Sequence, residues 1–178
     1  MKATFVLMLF AACACAQTAT AQDQSPESAC GPANAHFVTQ TMEKHDLTEP
    51  VGGKSQVYVI EVFDKVVGEL GRPTLRVGVD GAWVGANKGN SYLSFSIDPG
   101  EHHLCANWQS RLKHLSSEAA FAGFTAEPGK TYYFRARITE RGSAGAASSF
   151  SLDLDPVNID EGKYLVASSA YSQSHTKR

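Results

Sequence analysis

Two adjacent imidazoles, His102 and His103, with a thiol two residues on at Cys105, are the first side chains whose types could do chemistry. Nitrogen and sulfur ligands of this kind hold zinc. Neighbours on a strand point to opposite faces, so the pair cannot reach one ion without a bulge, and a wall-and-surface role is expected instead. His36, His45, His114 and His175 stand in loops and tails, outside the His-Glu-x-x-His spacing of a helical zinc site. Asp153, Asp155, Asp160 and Glu161, near Asn158, offer oxygen ligands of the kind calcium takes, but their spacing is not that of an EF-hand loop, and a solvated acidic edge is the plainer expectation. No metal site and no cofactor is assigned.

Tyr133, Arg135 and Arg137 would share the outward side of one strand, with Tyr92 as an aromatic neighbour if the strands pair suitably. Guanidinium groups beside aromatic rings suit an anionic glycan, a lipid headgroup or a peptide. The same residue types serve equally as ordinary cross-strand partners on an exposed sheet face. Serines are numerous, but none sits in a Gly-x-Ser-x-Gly elbow, and no base or orienting acid follows from spacing. No catalytic residue is therefore assigned, and the chain reads as non-enzymatic.

The chain's ends constrain where these groups would work. Met1 and Lys2 precede an apolar run from Ala3 to Ala12 broken only by Thr4, a basic start and short apolar stretch with the layout of a secretory signal peptide. Ala14-Cys15-Ala16 fits small-x-small cleavage before Gln17, whereas Phe10-Ala11-Ala12-Cys13 resembles a lipobox that would make Cys13 a lipidated terminus. Both routes export the protein, to the periplasm or cell exterior, soluble or lipid-anchored. No later run approaches the roughly 20 apolar residues of a membrane span. A net charge of −2 does not build the positive field that nucleic-acid binding needs. Of the four cysteines only Cys30 and Cys105 lie beyond both cleavage sites, and a pair in an oxidising compartment is most simply a disulfide. Two buried thiols are the alternative.

The elements that must position these groups are strands. Tyr58, Ile60 and Val62 alternate with Val57, Val59 and Glu61, apolar on nearly both faces, as in a central covered strand. Leu75, Val77 and Val79 lead into Asp80-Gly81, the strongest short hairpin signal, which would place Trp83 near Val77 or Val79. Leu93, Phe95 and Ile97 form the inner face of the next run, and Asp98-Pro99-Gly100 stops it. Leu104, Ala106 and Trp108 share a face with His102, leaving Cys105 on the opposite surface, where a strap from residue 30 crossing outside the sheet would meet it. Residues 109–117 read as a loop or helical turn. Strands follow at 119–126, at 130–140 with Tyr132, Phe134, Ala136 and Ile138 inward, and at 149–155. Residues 161–169 fit a short helix capped by Asp160, or a last strand.

Gly, Pro and Asn turns between these runs imply an all-β sandwich, immunoglobulin-like or carbohydrate-binding-like, or a partly open barrel, with a short helix near the C-terminus as an option. The domain map is a leader at 1–16, a polar tether at 17–29, an N-terminal strap at 30–54, the sandwich at 55–170 and a frayed tail at 171–178.

The ordered set Tyr58-Val59-Ile60, Val79-Asp80-Gly81-Ala82-Trp83-Val84-Gly85, Gly89-Asn90-Ser91-Tyr92, Asp98-Pro99-Gly100-Glu101-His102 and Ala126-Glu127-Pro128-Gly129-Lys130-Thr131-Tyr132-Tyr133 resembles the DUF2846 family of bacterial exported proteins over residues 55–154. The resemblance implies a small β-sandwich behind a signal or lipoprotein leader, and it carries over no site residues. Similar hairpins in PEGA and carbohydrate-binding-like sandwiches would imply envelope adhesion. The expected function is a structural or protein-interaction domain of the envelope or exterior, or else a glycan- or peptide-binding module there. The expected partner is accordingly an envelope protein or a glycan.

Overall fold

A computed structural model describes residues 30–43, 47–63, 73–141 and 149–177. The leader with Cys13, the tether, His45 and residues 64–72 lie outside them. The described strands are β1 (Phe37–Met42), β2 (Ser55–Phe63), β3 (Thr74–Val79), β4 (Ala82–Lys88), β5 (Ser91–Ile97), β6 (Gly100–Trp108), β7 (Ala119–Ala126), β8 (Thr131–Arg141), β9 (Ser149–Val157) and β10 (Ala170–Thr176); helix α1 (Lys113–Ser116) precedes β7 and α2 (Ile159–Ser168) precedes β10. They form a six-stranded sheet ordered β1-β10-β5-β2-β8-β9 and a four-stranded sheet ordered β4-β3-β6-β7. The smaller sheet is antiparallel, whereas the larger is mixed, with β10 parallel to β5 and β2 parallel to β8. The fold is all-β in two sheets with a short C-terminal helix. Among the described residues no helix is long and apolar enough to cross a membrane.

Strand β2 explains the layering. Its inward residues Val57 and Val59 meet Leu75, Val77, Leu104 and Phe134 between the sheets, while Tyr58 and Ile60 on its other face enter a second cluster with Tyr92, Tyr133 and Val166. All of these are almost completely buried. Burial of each such aliphatic or aromatic side chain contributes about 1.5–3 kcal/mol, which makes a strand apolar on both faces stable only in the middle of the sheet. The lid over the second face is α2. Asn158 caps it, its side-chain oxygen accepting from the Asp160 and Glu161 amides at 3.1 and 2.9 Å, and both acids sit favourably in the first turn. Asp160, expected as the cap, is thus inside the helix, and Asn158 does that work.

Two other expectations are corrected. Residues 171–178, expected as a frayed tail, hold strand β10, wedged between β1 and β5. Its sequence is polar because its inward side chains are serines: Ser172 Oγ donates to the Ala86 carbonyl and Ser174 Oγ accepts from the Ala86 amide at 2.9 Å, stitching the larger sheet to edge strand β4. The N-terminal strap likewise contains a strand, β1, clamped by Gln109, whose side-chain oxygen accepts from the Phe37 amide at 2.7 Å while its NH2 donates to the Phe37 carbonyl at 2.9 Å.

Gly162 shows how closely α2 is seated. A Cβ there would run into the Tyr133 ring, well inside van der Waals contact. Gly162→Ala is expected to destabilise the protein by about 1–3 kcal/mol through overpacking, outweighing a gain of about 1 kcal/mol in helix propensity. Urea unfolding measures it; a midpoint unchanged or raised would mean that the helix does not rest on this ring.

Candidate functional site

The residues singled out for chemistry separate into three places. On the outer face of the larger sheet, Tyr92 and Tyr133 are 1 % and 4 % exposed, so they cannot form the open platform expected of them. The reason is α2: it covers the alternating face that the sequence presents as outward, and Tyr58, Tyr92 and Tyr133 pack as a buried ring cluster, Tyr58 stacked on Tyr133 at 5.2 Å between centroids. Arg135 donates from Nη1 to Glu161 Oε1 at 2.6 Å and lies 3.9 Å from Asp155, which also stands 3.8 Å from Arg137. Glu161 therefore serves as the counter-charge that joins α2 to the sheet, while Asp155 stands beside both arginines from the neighbouring strand β9.

At the hairpin tip, His102 and His103 do point apart. Asp80, at the turn with φ of 50° beside Gly81 at 81°, accepts from the His103 amide at Oδ1 and from His102 Nδ1 at Oδ2, 2.7 Å away. His102 Nε2 lies 2.8 Å from the Asp98 carbonyl. Both partners are acceptors, so the geometry favours a ring that donates from both nitrogens. Burial works against the charge of such a ring, but the bonds to Asp80 and Asp98 outweigh it and raise His102 above its ordinary value. Burial likewise opposes the Asp80 carboxylate, and its bonds to both histidines nevertheless leave it lowered. Among the described residues no cluster of three or more metal-ligating side chains forms.

The third place is the outer face of the smaller sheet. Cys30 and Cys105 are joined as a disulfide, with Cα atoms 5.1 Å apart. From that bond residues 30–36 cross β3 and β4. The Cys30 carbonyl lies over Gly78, where any Cβ would collide with it. Trp83 Nε1 donates to the Pro32 carbonyl at 2.8 Å, and Arg76 Nη1 donates to the carbonyls of Ala33 and Ala35 at 3.0 and 2.8 Å. A register shift between Val77 and Gly78 pairs Trp83 with Gly78, so its ring lies outside under the strap instead of against Val77 or Val79. The guanidinium of Arg76 sits 4.6 Å from the Trp83 ring centroid. Between strap and sheet is a cleft of about 200 Å³, lined by Cys30, Gly31, Arg76, Trp83, Asn107 and Ala119 among others. Arg76 and Trp83 were not marked by the sequence; the available signal was an arginine inside an apolar strand, on the face that carries Cys105 and Asn107 across the pair.

One buried acid remains. Glu61, fully buried on the inward face of β2, has no hydrogen-bond partner for either carboxyl oxygen among the described residues, and Asn87 Oδ1 is in the same condition. Burial pushes the Glu61 carboxyl well above the usual range, against a lesser pull from the Gly89 backbone. A raised carboxyl keeps its proton in the folded state after the unfolded chain has lost it, so stability falls as pH climbs from about 4.5 towards the folded value. The raised His102 acts in the same direction: its contribution is complete below about pH 6.5 and is lost as pH rises through its folded value. The thermal midpoint is therefore expected to drop between about pH 5 and pH 8. Glu61→Gln should flatten the lower part of that slope and His102→Gln the upper part; slopes untouched by both substitutions would contradict the assignment.

Comparison of the chain with family models, with curated proteins and with solved structures finds no match.

Proposed function

We propose that this chain is an exported β-sandwich domain that acts by holding a partner in the envelope or outside the cell, not by transforming a substrate. The observation that carries this reading is the Cys30–Cys105 disulfide, which closes a separation of 75 residues and fastens the N-terminal strap across the sheet. Such a bond persists in an oxidising compartment, and cross-linking a loop of that size stabilises the fold by about 4 kcal/mol in the chain-entropy description. The leader-like N-terminus and the likeness to DUF2846 proteins support the same compartment. The placement of the reactive groups supports a binding role: His102 is tied to Asp80 and Asp98, Arg135 to Glu161, and Glu61 is sealed between the sheets. The alternative, glycan or peptide capture on Tyr92, Tyr133, Arg135 and Arg137, loses its aromatic half to the helix and keeps only Arg137 with Asp155 at the surface. Whether the sandwich is nearer to immunoglobulin-like or to carbohydrate-binding-like domains does not alter this reading.

Expression of the full chain in a bacterium, followed by mass spectrometry of the native N-terminus and the cysteine linkage, tests it. The expected product begins at Gln17, or at a lipidated Cys13, with Cys30 bonded to Cys105. A cytosolic product that retains Met1 and two free thiols would overturn it.

A further inference from the structure

Arg76 lies in the middle of β3, 7 % exposed, and carries a permanent charge. Its bonds all go to neutral acceptors: Nε and Nη2 donate to Asn107 Oδ1, and Nη1 donates to the carbonyls of Ala33 and Ala35. Among the described residues no carboxylate forms an ion pair with it. Burial draws its pKa down from the ordinary guanidinium value, and no charge among the described residues opposes the shift. Buried charges are ordinarily matched by an opposite one, since an unmatched ion in a low-dielectric site is costly. Four of the five N–H groups are spent in the bonds above, which leaves one Nη2 hydrogen.

That unmatched cation lines the cleft of about 200 Å³ between strap and sheet. The other walls are largely apolar, with Cys30 of the disulfide, Trp83 and Ala119 among them, and Asn107, Ser116 and Ser117 complete the lining. One positive charge calls for one negative charge, and the remaining guanidinium hydrogen for a strong acceptor. A phosphate or sulfate brings more charge than the one cation matches, whereas a carboxylate brings one charge. The volume corresponds to about six or seven molecules of liquid water at about 30 Å³ each, room for a carboxylate on a stem of a few carbons.

We propose that the cleft around Arg76 binds a monocarboxylate on a short apolar stem, either a free short-chain acid or the C-terminus of a peptide. The carboxylate neutralises Arg76 and the stem lies between Trp83 and the disulfide. The site deepens the proposed binding role and rests on it only through the disulfide-held strap, which supplies the Cys30 and Gly31 wall.

The test uses purified mature protein whose Cys30–Cys105 linkage has been verified by mass spectrometry, so it can fail without touching the export reading, and a failed export reading leaves its result intact. Sodium butyrate is titrated against matched sodium chloride while the Trp83 indole N–H and the amides of Gly78 and Ala119 are followed by NMR. Expected are saturating shifts at millimolar butyrate that phosphate does not reproduce. A short peptide ending in a free alanine carboxylate that binds while its C-terminal amide does not marks a peptide end as the source; butyrate binding alone marks a free acid. Arg76→Gln should abolish the shifts. Because that substitution also loosens the strap, Ala119→Glu provides the second variant: it leaves Arg76 in place and brings a carboxylate from β7 into the cleft. It should raise the thermal midpoint and remove the butyrate response together. Shifts that never saturate, equal shifts with phosphate, or an Ala119→Glu protein that still responds to butyrate would overturn the proposal.

Discussion

The covalent link between Cys30 and Cys105 governs the outer face of the smaller sheet. Cys105 sits on β6 with its side chain turned away from the core, because its neighbours Leu104 and Ala106 face inward. The bond brings the strap down onto Gly78, the one β3 position where no side chain stands in its way. Once there, the strap's carbonyls accept from Arg76 and Trp83, and those two side chains find each other as guanidinium over indole. An arginine buried in a strand is unfavourable unless its donors are met; two strap carbonyls meet those of Nη1, and Asn107 on β6 meets Nε and one of Nη2. Chain connectivity then carries the same anchoring into β1, which pairs with β10 along its whole length.

The larger sheet depends on a different condition, that β2 be apolar on both faces. One face completes the core between the sheets and the other requires a lid, which the chain provides by placing α2 after β9, capped at Asn158 and fixed by the Arg135–Glu161 pair. Tyr133 then becomes a floor for Gly162. The seam between β4 and β10 is closed by two serine hydroxyls instead of by greasy contact. Glu61 and Asn87 are buried beside this seam, with side-chain oxygens that meet no hydrogen-bond partner among the described residues.

How much of this was legible follows from what each element uses for stability. Strands β2, β3, β5, β6 and β8 advertise themselves by alternation, and the Asp80-Gly81 turn and the disulfide were readable from turn chemistry and cysteine arithmetic. Strand β10 was not, because Ala170–Thr176 is held by ladder bonds and serine contacts that leave no hydrophobic period. Strand β1 was hidden for a related reason: Phe37 is its one buried apolar anchor, and its clamp is a glutamine 72 residues away. The exposed reading of Tyr92 and Tyr133 failed since a period of two reveals which residues share a face and not what covers that face. The cleft at Arg76 needed the strap, β3, β4, β6 and the segment leading into β7 to meet, which no local pattern encodes.

Hydrogen exchange on the oxidised protein and on the same protein held in reductant tests the covalent anchoring most directly. With the bond intact, the amides of residues 37–42 and of the strap should exchange slowly. On reduction, protection should fall first across the strap and β1 while β2, β5 and β8 stay protected, since their burial does not involve the thiols. Identical protection in both states, or loss that begins in β2 and β8, would contradict the anchoring role of Cys30 and Cys105.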